Sequence, residues 1–200
     1  MPYSQFKTIS SVVDAFGLQT IEGGRFLPDV PLVTPSETLS NFLSVSLPIA
    51  SSASEKARSE GIIYPVLLET RRILNLGVSL FSGETFDVDA SLGLNGMCDF
   101  LLSRSSSVLE IQAPAVLIVE AKQENLKGGI GQCVAEMVAA QRFNQARHHP
   151  LPVLYGAVSS GTQWRFLKLD ELVVTIDLTD YPLPPVDQIL GFLVWMLQAG

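Results

Sequence analysis

The chain has 200 residues, 47% of them hydrophobic, with a formal net charge of −7 and a mean hydropathy of +0.31. That is enough apolar material to bury one sizeable core, and it excludes a disordered or low-complexity chain. The acidic balance also excludes a protein that grips nucleic acid by bulk positive charge, and two cysteines, Cys98 and Cys133, supply neither a disulfide framework nor a paired zinc motif.

Residues 1–11 carry no apolar run preceded by basic residues, so they read as neither a signal peptide nor a membrane anchor, and a soluble cytoplasmic protein is expected. Residues 8–16 predict a short helix ended by Gly17. A Pro- and Gly-rich stretch follows, and Thr34-Pro35-Ser36-Glu37 reads as a second helix start, with proline and an acidic residue in the first turn. Residues 1–52 are therefore read as a helical extension that could cover a sheet edge or mediate self-association.

The core is assigned to residues 53–168. Residues 53–75 predict a long helix with Ile62, Val66 and Ile73 on one stripe and Glu69 among them. That carboxylate is either a functional acid at a buried edge or a solvated neighbour of Arg72 at i+3. Residues 78–89 alternate partly and predict a bent strand or hairpin, with Asp87 and Asp89 at an exposed strand end. Two apolar runs then flank the polar turn Ser103-Arg104-Ser105-Ser106-Ser107, a hairpin-like signal. The second run, Val116-Leu117-Ile118-Val119, has the pattern of a strand buried on both faces, yet it continues into Glu120 and Lys122. Those two share a face because strand side chains alternate. If the two strands pair antiparallel, Asp99 of the first comes within reach of Glu120. Two carboxylates beside a lysine suit a hard divalent cation; the local pattern by itself favours an exposed strand-end ion pair and a turn residue, since such pairs are common and worth little.

Gly128-Gly129 and Gly131 are read as a sharp turn into a helix at residues 130–148, where Val134, Met137, Val138 and Phe143 are core. Gln132 and Glu136 share a face at i, i+4, either aimed at the carboxylates or solvated. His148-His149 before Pro150 read as charge favourable to the helix C-terminus. Residues 153–160, 163–168 and 172–178 predict three more strands. Residues 186–199 predict a helix that is apolar on nearly all sides and too short for a bilayer span of ~20 residues, so it is buried in the domain or forms a homodimer contact. Residues 169–200 are assigned to a C-terminal strand and helix. Charge is uneven: Lys122, Lys127, Arg142, Arg147, Arg165 and Lys168 cluster within residues 121–168, whereas residues 169–200 hold acidic residues and no lysine or arginine.

Asp99, a spacer of about twenty residues, then Glu120-Ala121-Lys122 resembles the core motif of the PD-(D/E)XK nuclease superfamily, with Glu69 on the helix before and Gln132 on the helix after. Cys98-Asp99 stands where the motif has Pro-Asp, and Glu136 where some relatives carry tyrosine. The resemblance implies a restriction-endonuclease-like α/β (α+β) fold, an αβββαβ core whose mixed central sheet is flanked by helices. It implies metal-dependent hydrolysis of phosphodiester bonds in DNA, or in RNA, with Asp99, Glu120, Glu69 and the Ala121 carbonyl holding Mg²⁺ or Mn²⁺. Lys122 would position or activate the attacking water, Gln132 would orient Lys122 or the scissile phosphate, and Lys127, Arg142 and Arg71 would meet the nucleic-acid backbone. The alternative is a catalytically silent module of the same fold that binds nucleic acid or protein.

Overall fold

The computed structural model describes residues 2–199. Helix α1 (Ile9–Phe16) starts at Thr8, whose hydroxyl accepts from the Ser11 amide at 3.2 Å, and stops at Gly17 in the left-handed conformation. Helix α2 (Glu37–Ala50) starts at Ser36, whose hydroxyl accepts from the Leu39 amide at 3.2 Å. The expected long helix is α3 (Glu55–Arg58), a π-helical turn at Ser59–Ile63, and α4 (Tyr64–Ile73) in unbroken succession. The looser turn falls where Gly61 presses on α2: a Cβ there would come within 2.9 Å of the Ala50 Cβ. The Gly61 carbonyl accepts from the Ser46 hydroxyl at 2.7 Å.

Strands β1 (Gln19–Glu22), β2 (Ser79–Thr85), β3 (Met97–Ser103), β4 (Ala115–Ala121), β5 (Val153–Ser159), β6 (Gln163–Asp170) and β7 (Val173–Ile176) form one mixed sheet in the order β1-β7-β6-β5-β4-β3-β2, with β8 (Tyr181–Pro182) beside β6. β2, β3 and β4 form an antiparallel meander. β5 lies parallel to β4, a pairing that needs a long crossover, and α5 (Lys127–Ala146) supplies it. The coarse class expected from the sequence is therefore present, as is the succession of helix, three strands, helix and strand.

Three elements differ from the sequence reading. The connection between β3 and β4 spans residues 104–114 and is no tight Ser-rich turn. It is tied down by the Ser103 hydroxyl, which donates to the Gln112 carbonyl, and by the Ser79 hydroxyl, whose single proton is shared between the Ser105 and Ser107 carbonyls. The glycines expected to form a turn lie inside α5. They are needed for close approach: a Cβ on Gly129 would sit 2.7 Å from Val158 Cγ1 and 3.1 Å from Lys122 Cγ, and one on Gly131 would sit 2.5 Å from the Phe6 carbonyl oxygen. Finally, residues 19–22 form a strand that pairs parallel with β7, so part of the N-terminal extension does cover a sheet edge.

One face of the sheet packs under α1 and α5, the other under α2, α4 and α6 (Asp187–Gln198). α6 is apolar all round because the chain covers it: Ile189, Leu190, Phe192, Leu193, Met196 and Leu197 are all buried, and Gly191 lies against the Pro31 carbonyl. The surface expected for a homodimer contact is thus largely used inside the chain. Among the described residues no helix is long and apolar enough to cross a membrane.

Candidate active site

All seven residues of β4 are buried. Leu117, Val119 and Ala121 join the core beneath α4 and α6, whereas Ile118 joins the core beneath α5. Alternation then carries Glu120 and Lys122 onto the α5 face. The β3–β4 register pairs Leu101 with Ile118 and Phe100 with Val119, and just beyond it the Asp99 carboxylate reaches across to the Ala121 amide and to Glu120. The sequence-predicted trio is thereby assembled at one end of the sheet, with Glu120 1% exposed and Asp99 half-buried.

Hydrogen bonds fix each member. Lys122 Nζ donates to Glu120 Oε1 at 2.5 Å, and the Lys122 amide donates to the Ser159 carbonyl at 2.8 Å, extending the β4–β5 ladder. The Ala121 amide donates to Asp99 Oδ2 at 2.8 Å. From α5, Gln132 Nε2 donates to Glu120 Oε2 and to Glu136 Oε1, each at 3.1 Å. Gln132 and Glu136 therefore face the carboxylates, as one of the two sequence readings had it. Of the trio only Lys122 lines the adjoining depression of about 400 Å³, here the mouth, together with Gln123, Glu124, Asn125 and Gly128.

The site holds more acid than base. Burial, and then Asp99, push the Glu120 carboxyl up to about 8; burial also raises Asp99, and burial together with Glu120 raises Glu136 far above the carboxylate range. Burial works against the Lys122 ammonium, but Glu120, Asp99 and Glu55 outweigh it and hold its pKa above the ordinary value. Asp99 raises Glu120, and Glu120 and Asp99 in turn raise Glu136, each negative charge opposing the next. Neutral pH therefore finds a proton shared within the cluster. A cation delivered there would displace it.

The other expected members lie elsewhere. Glu69 is buried on α4, but its carboxylate accepts from the Ser36 amide and hydroxyl and, as a fork, from Arg72 Nε and Nη2 at 2.9 Å. It ties α4 to the start of α2 and lines an apolar groove of about 490 Å³ with Leu39, Phe42, Tyr64 and Leu68. On the helix before the strands it is Glu55, in the first turn of α3, whose charge reaches Asp99, Glu120 and Lys122, as a minor influence on each. Arg58, one turn on, fastens that end to the sheet by donating to the Ser160 carbonyl at 3.0 Å. Glu55 is fourteen residues, about 21 Å of helix, from Glu69, so the two cannot serve one end of the sheet. The sequence signal for Glu55 is its place just inside the helix start at Ser54.

The expected basic surface is likewise dispersed. Lys127 is exposed in the first turn of α5, near the mouth. Arg142, four turns along that helix, lies 3.8 Å from Asp89 and over the Phe16 ring; Arg71 Nε donates to the Val78 carbonyl at 2.9 Å. Both brace the scaffold away from the trio. Asp87 and Asp89 serve the backbone at Gly96 and Ser91, as strand-end residues would.

Among the described residues no group of three or more His, Cys, Asp or Glu side chains is placed to hold a metal ion. Asp99 and Glu120 bring two carboxylates together, and Mg²⁺ keeps several waters and takes one or two carboxylates. No protein-family model matches the sequence, and neither curated proteins nor solved structures provide a match.

Proposed function

We propose that the chain is a metal-dependent phosphodiester hydrolase acting on nucleic acid, with a restriction-endonuclease-like core. The observation that carries this reading is the convergence of Asp99, Glu120 and Lys122 at one sheet end, with Glu120 buried and hydrogen-bonded to Lys122 Nζ. The meander β2-β3-β4, the crossover helix α5 and parallel β5 support the same assignment. Asp99, Glu120 and the Ala121 carbonyl would hold Mg²⁺ or Mn²⁺. The fit rests on the excess of carboxyl groups, whose raised pKa values a cation would relieve. A bound ion supplies Lewis-acid polarisation of the phosphoryl group and a more acidic water.

The chain's own groups do the rest. Lys122, held by Glu120 and by its backbone bond to Ser159, presents an ammonium at the mouth, where it orients water and offsets charge developing on phosphorus. Gln132 keeps the second Glu120 oxygen engaged and so restrains the carboxylate's rotation. The test is cleavage of single- and double-stranded DNA and RNA with Mg²⁺ or Mn²⁺, for the wild-type chain and Lys122→Ala. The expected outcome is a loss of about a hundredfold or more in rate with folding intact; full activity in Lys122→Ala removes the assignment.

A second reading, a silent module of the same fold, is favoured by the charge distribution. Arg142, Arg165 and Lys168 are each paired with a carboxylate, which leaves Lys127 beside Lys122 as the basic residues near the mouth. It predicts retention of an oligonucleotide or protein partner without cleavage.

A further inference from the structure

Glu136 is fully buried in the middle of α5, in a core cluster that includes Tyr3, Cys98, Cys133, Val134 and Met137. A leucine or methionine would occupy that volume without the cost of desolvating a carboxyl group. Only one of its oxygens is matched: Oε1 accepts from Gln132 Nε2 at 3.1 Å, while Oε2 has no nitrogen or oxygen partner and the Cys98 thiol stands against the group. A polar side chain kept in such a place has to act through the bond it does make.

That bond leads to the site. Gln132 sits one helical turn before Glu136, and its amide nitrogen has two hydrogens, one for Glu136 Oε1 and one for Glu120 Oε2. Glu120 Oε2 and Glu136 Oε1 both accept here, and the nitrogen is the atom lodged between them. Removing Glu136 frees the amide to turn its oxygen inward, and Glu120 then keeps a donor only on the oxygen shared with Lys122.

We propose that Glu136 is a positioning residue: by anchoring the Gln132 amide it fixes the rotation of Glu120, and with it the meeting of Glu120 and Lys122. The chemical use of this arrangement rests on the reading of Asp99 and Glu120 as a cation site. Supporting residues of this kind typically change metal affinity about 10- to 100-fold.

The experiment compares Glu136→Leu, Glu136→Gln and the wild-type full chain by three measurements. Without cation, the side-chain amide signals of Gln132 are followed by ¹H–¹⁵N spectroscopy; Mn²⁺ affinity is measured by calorimetry; thermal midpoints report folding. Glu136→Leu is expected to shift the Gln132 amide signals to the free-amide position, to leave the thermal midpoint unchanged or raised, and to weaken Mn²⁺ binding about tenfold. Glu136→Gln, whose side-chain carbonyl can accept the same bond, is expected to restore both the signals and the affinity. Unshifted Gln132 signals in Glu136→Leu overturn the proposal, as does a Glu136→Gln variant as impaired as Glu136→Leu. If the wild-type chain does not bind Mn²⁺, the cation reading falls, while the amide signals still decide whether Glu136 positions Gln132.

Discussion

Replacing Glu120 with glutamine should stabilise the cation-free chain increasingly as the pH rises. Glu120 is 1% exposed and its carboxyl is pushed up to about 8 by burial and by Asp99. In the unfolded chain the same group titrates near its ordinary 4.5, so between these values the folded chain holds a proton that the unfolded chain has released. Because the folded value is the higher one, the associated stability is fully present below the unfolded pKa and is lost as the pH rises through the folded one. The slope for one proton is at most about 1.4 kcal/mol per pH unit. Glutamine keeps the size and an acceptor for Lys122 but carries no proton to lose. The assay is urea unfolding followed by tryptophan fluorescence, at steps between about pH 5 and about pH 8 in the presence of a chelator. The stability difference, variant minus wild type, should climb with pH toward that slope; Asp99 and Glu136 share in the titration and spread it. A difference that stays flat across the range refutes the claim that Glu120 is forced to hold a proton at neutral pH.

Further predictions separate the two helical acids. Glu69→Ala should cost about 2–3 kcal/mol of stability, at the lower end for a buried acid because the Arg72 side chain is 57% exposed and screened. It should leave Mn²⁺ binding unchanged; loss of binding would return Glu69 to the site. The Arg72 fork holds the Glu69 carboxyl below its usual range. Its contribution is therefore present above the ordinary carboxylate pKa and disappears as the pH falls through the depressed one, so the wild-type advantage should vanish in acid. Glu55→Gln should do the opposite, with unfolding midpoints nearly unchanged and Mn²⁺ affinity reduced about two- to five-fold, the scale of an exposed charge; equal affinity would show that the α3 terminus plays no part.

The meander and its site were legible because two short-range rules combine. Alternation sets Glu120 and Lys122 on one face whatever the tertiary structure, and antiparallel pairing of the neighbouring run brings Asp99 across. The chain order of helices and strands followed from periodicity and punctuation, as at Ser36 and Gly17. The glycines of α5 were misread because their local signal is a turn. What retains them is distance between elements, the Gly129 backbone against Val158 and Lys122, and no window of sequence contains that contact. The charge cluster failed for a similar reason. Its members are close in sequence but meet carboxylates brought from elsewhere, Asp89 for Arg142 and Asp180 for Arg165.

The choice between Glu55 and Glu69 shows where such reading stops. Fourteen residues are close to four turns of a regular α-helix, so periodicity in the sequence puts both acids on similar sides and cannot rank them; the π-helical turn at Ser59–Ile63 changes that phase in the fold. Glu69 looked the better candidate because it interrupts an apolar stripe, and it is the one that is buried. Its burial is explained by Ser36 and Arg72, which supply four hydrogen bonds to a single carboxylate and satisfy it completely. A group so fully matched has little left to offer a ligand. The carboxyls at the sheet end are the reverse: Asp99, Glu120 and Glu136 are crowded, raised in pKa, and answered by one ammonium, the Gln132 amide and the Ala121 backbone amide. Burial locates ionisable groups that matter to the fold. Burial with more carboxyl groups than donors marks a place that a cation would relieve, and on that criterion the proposed site is the cluster of Asp99, Glu120 and Glu136.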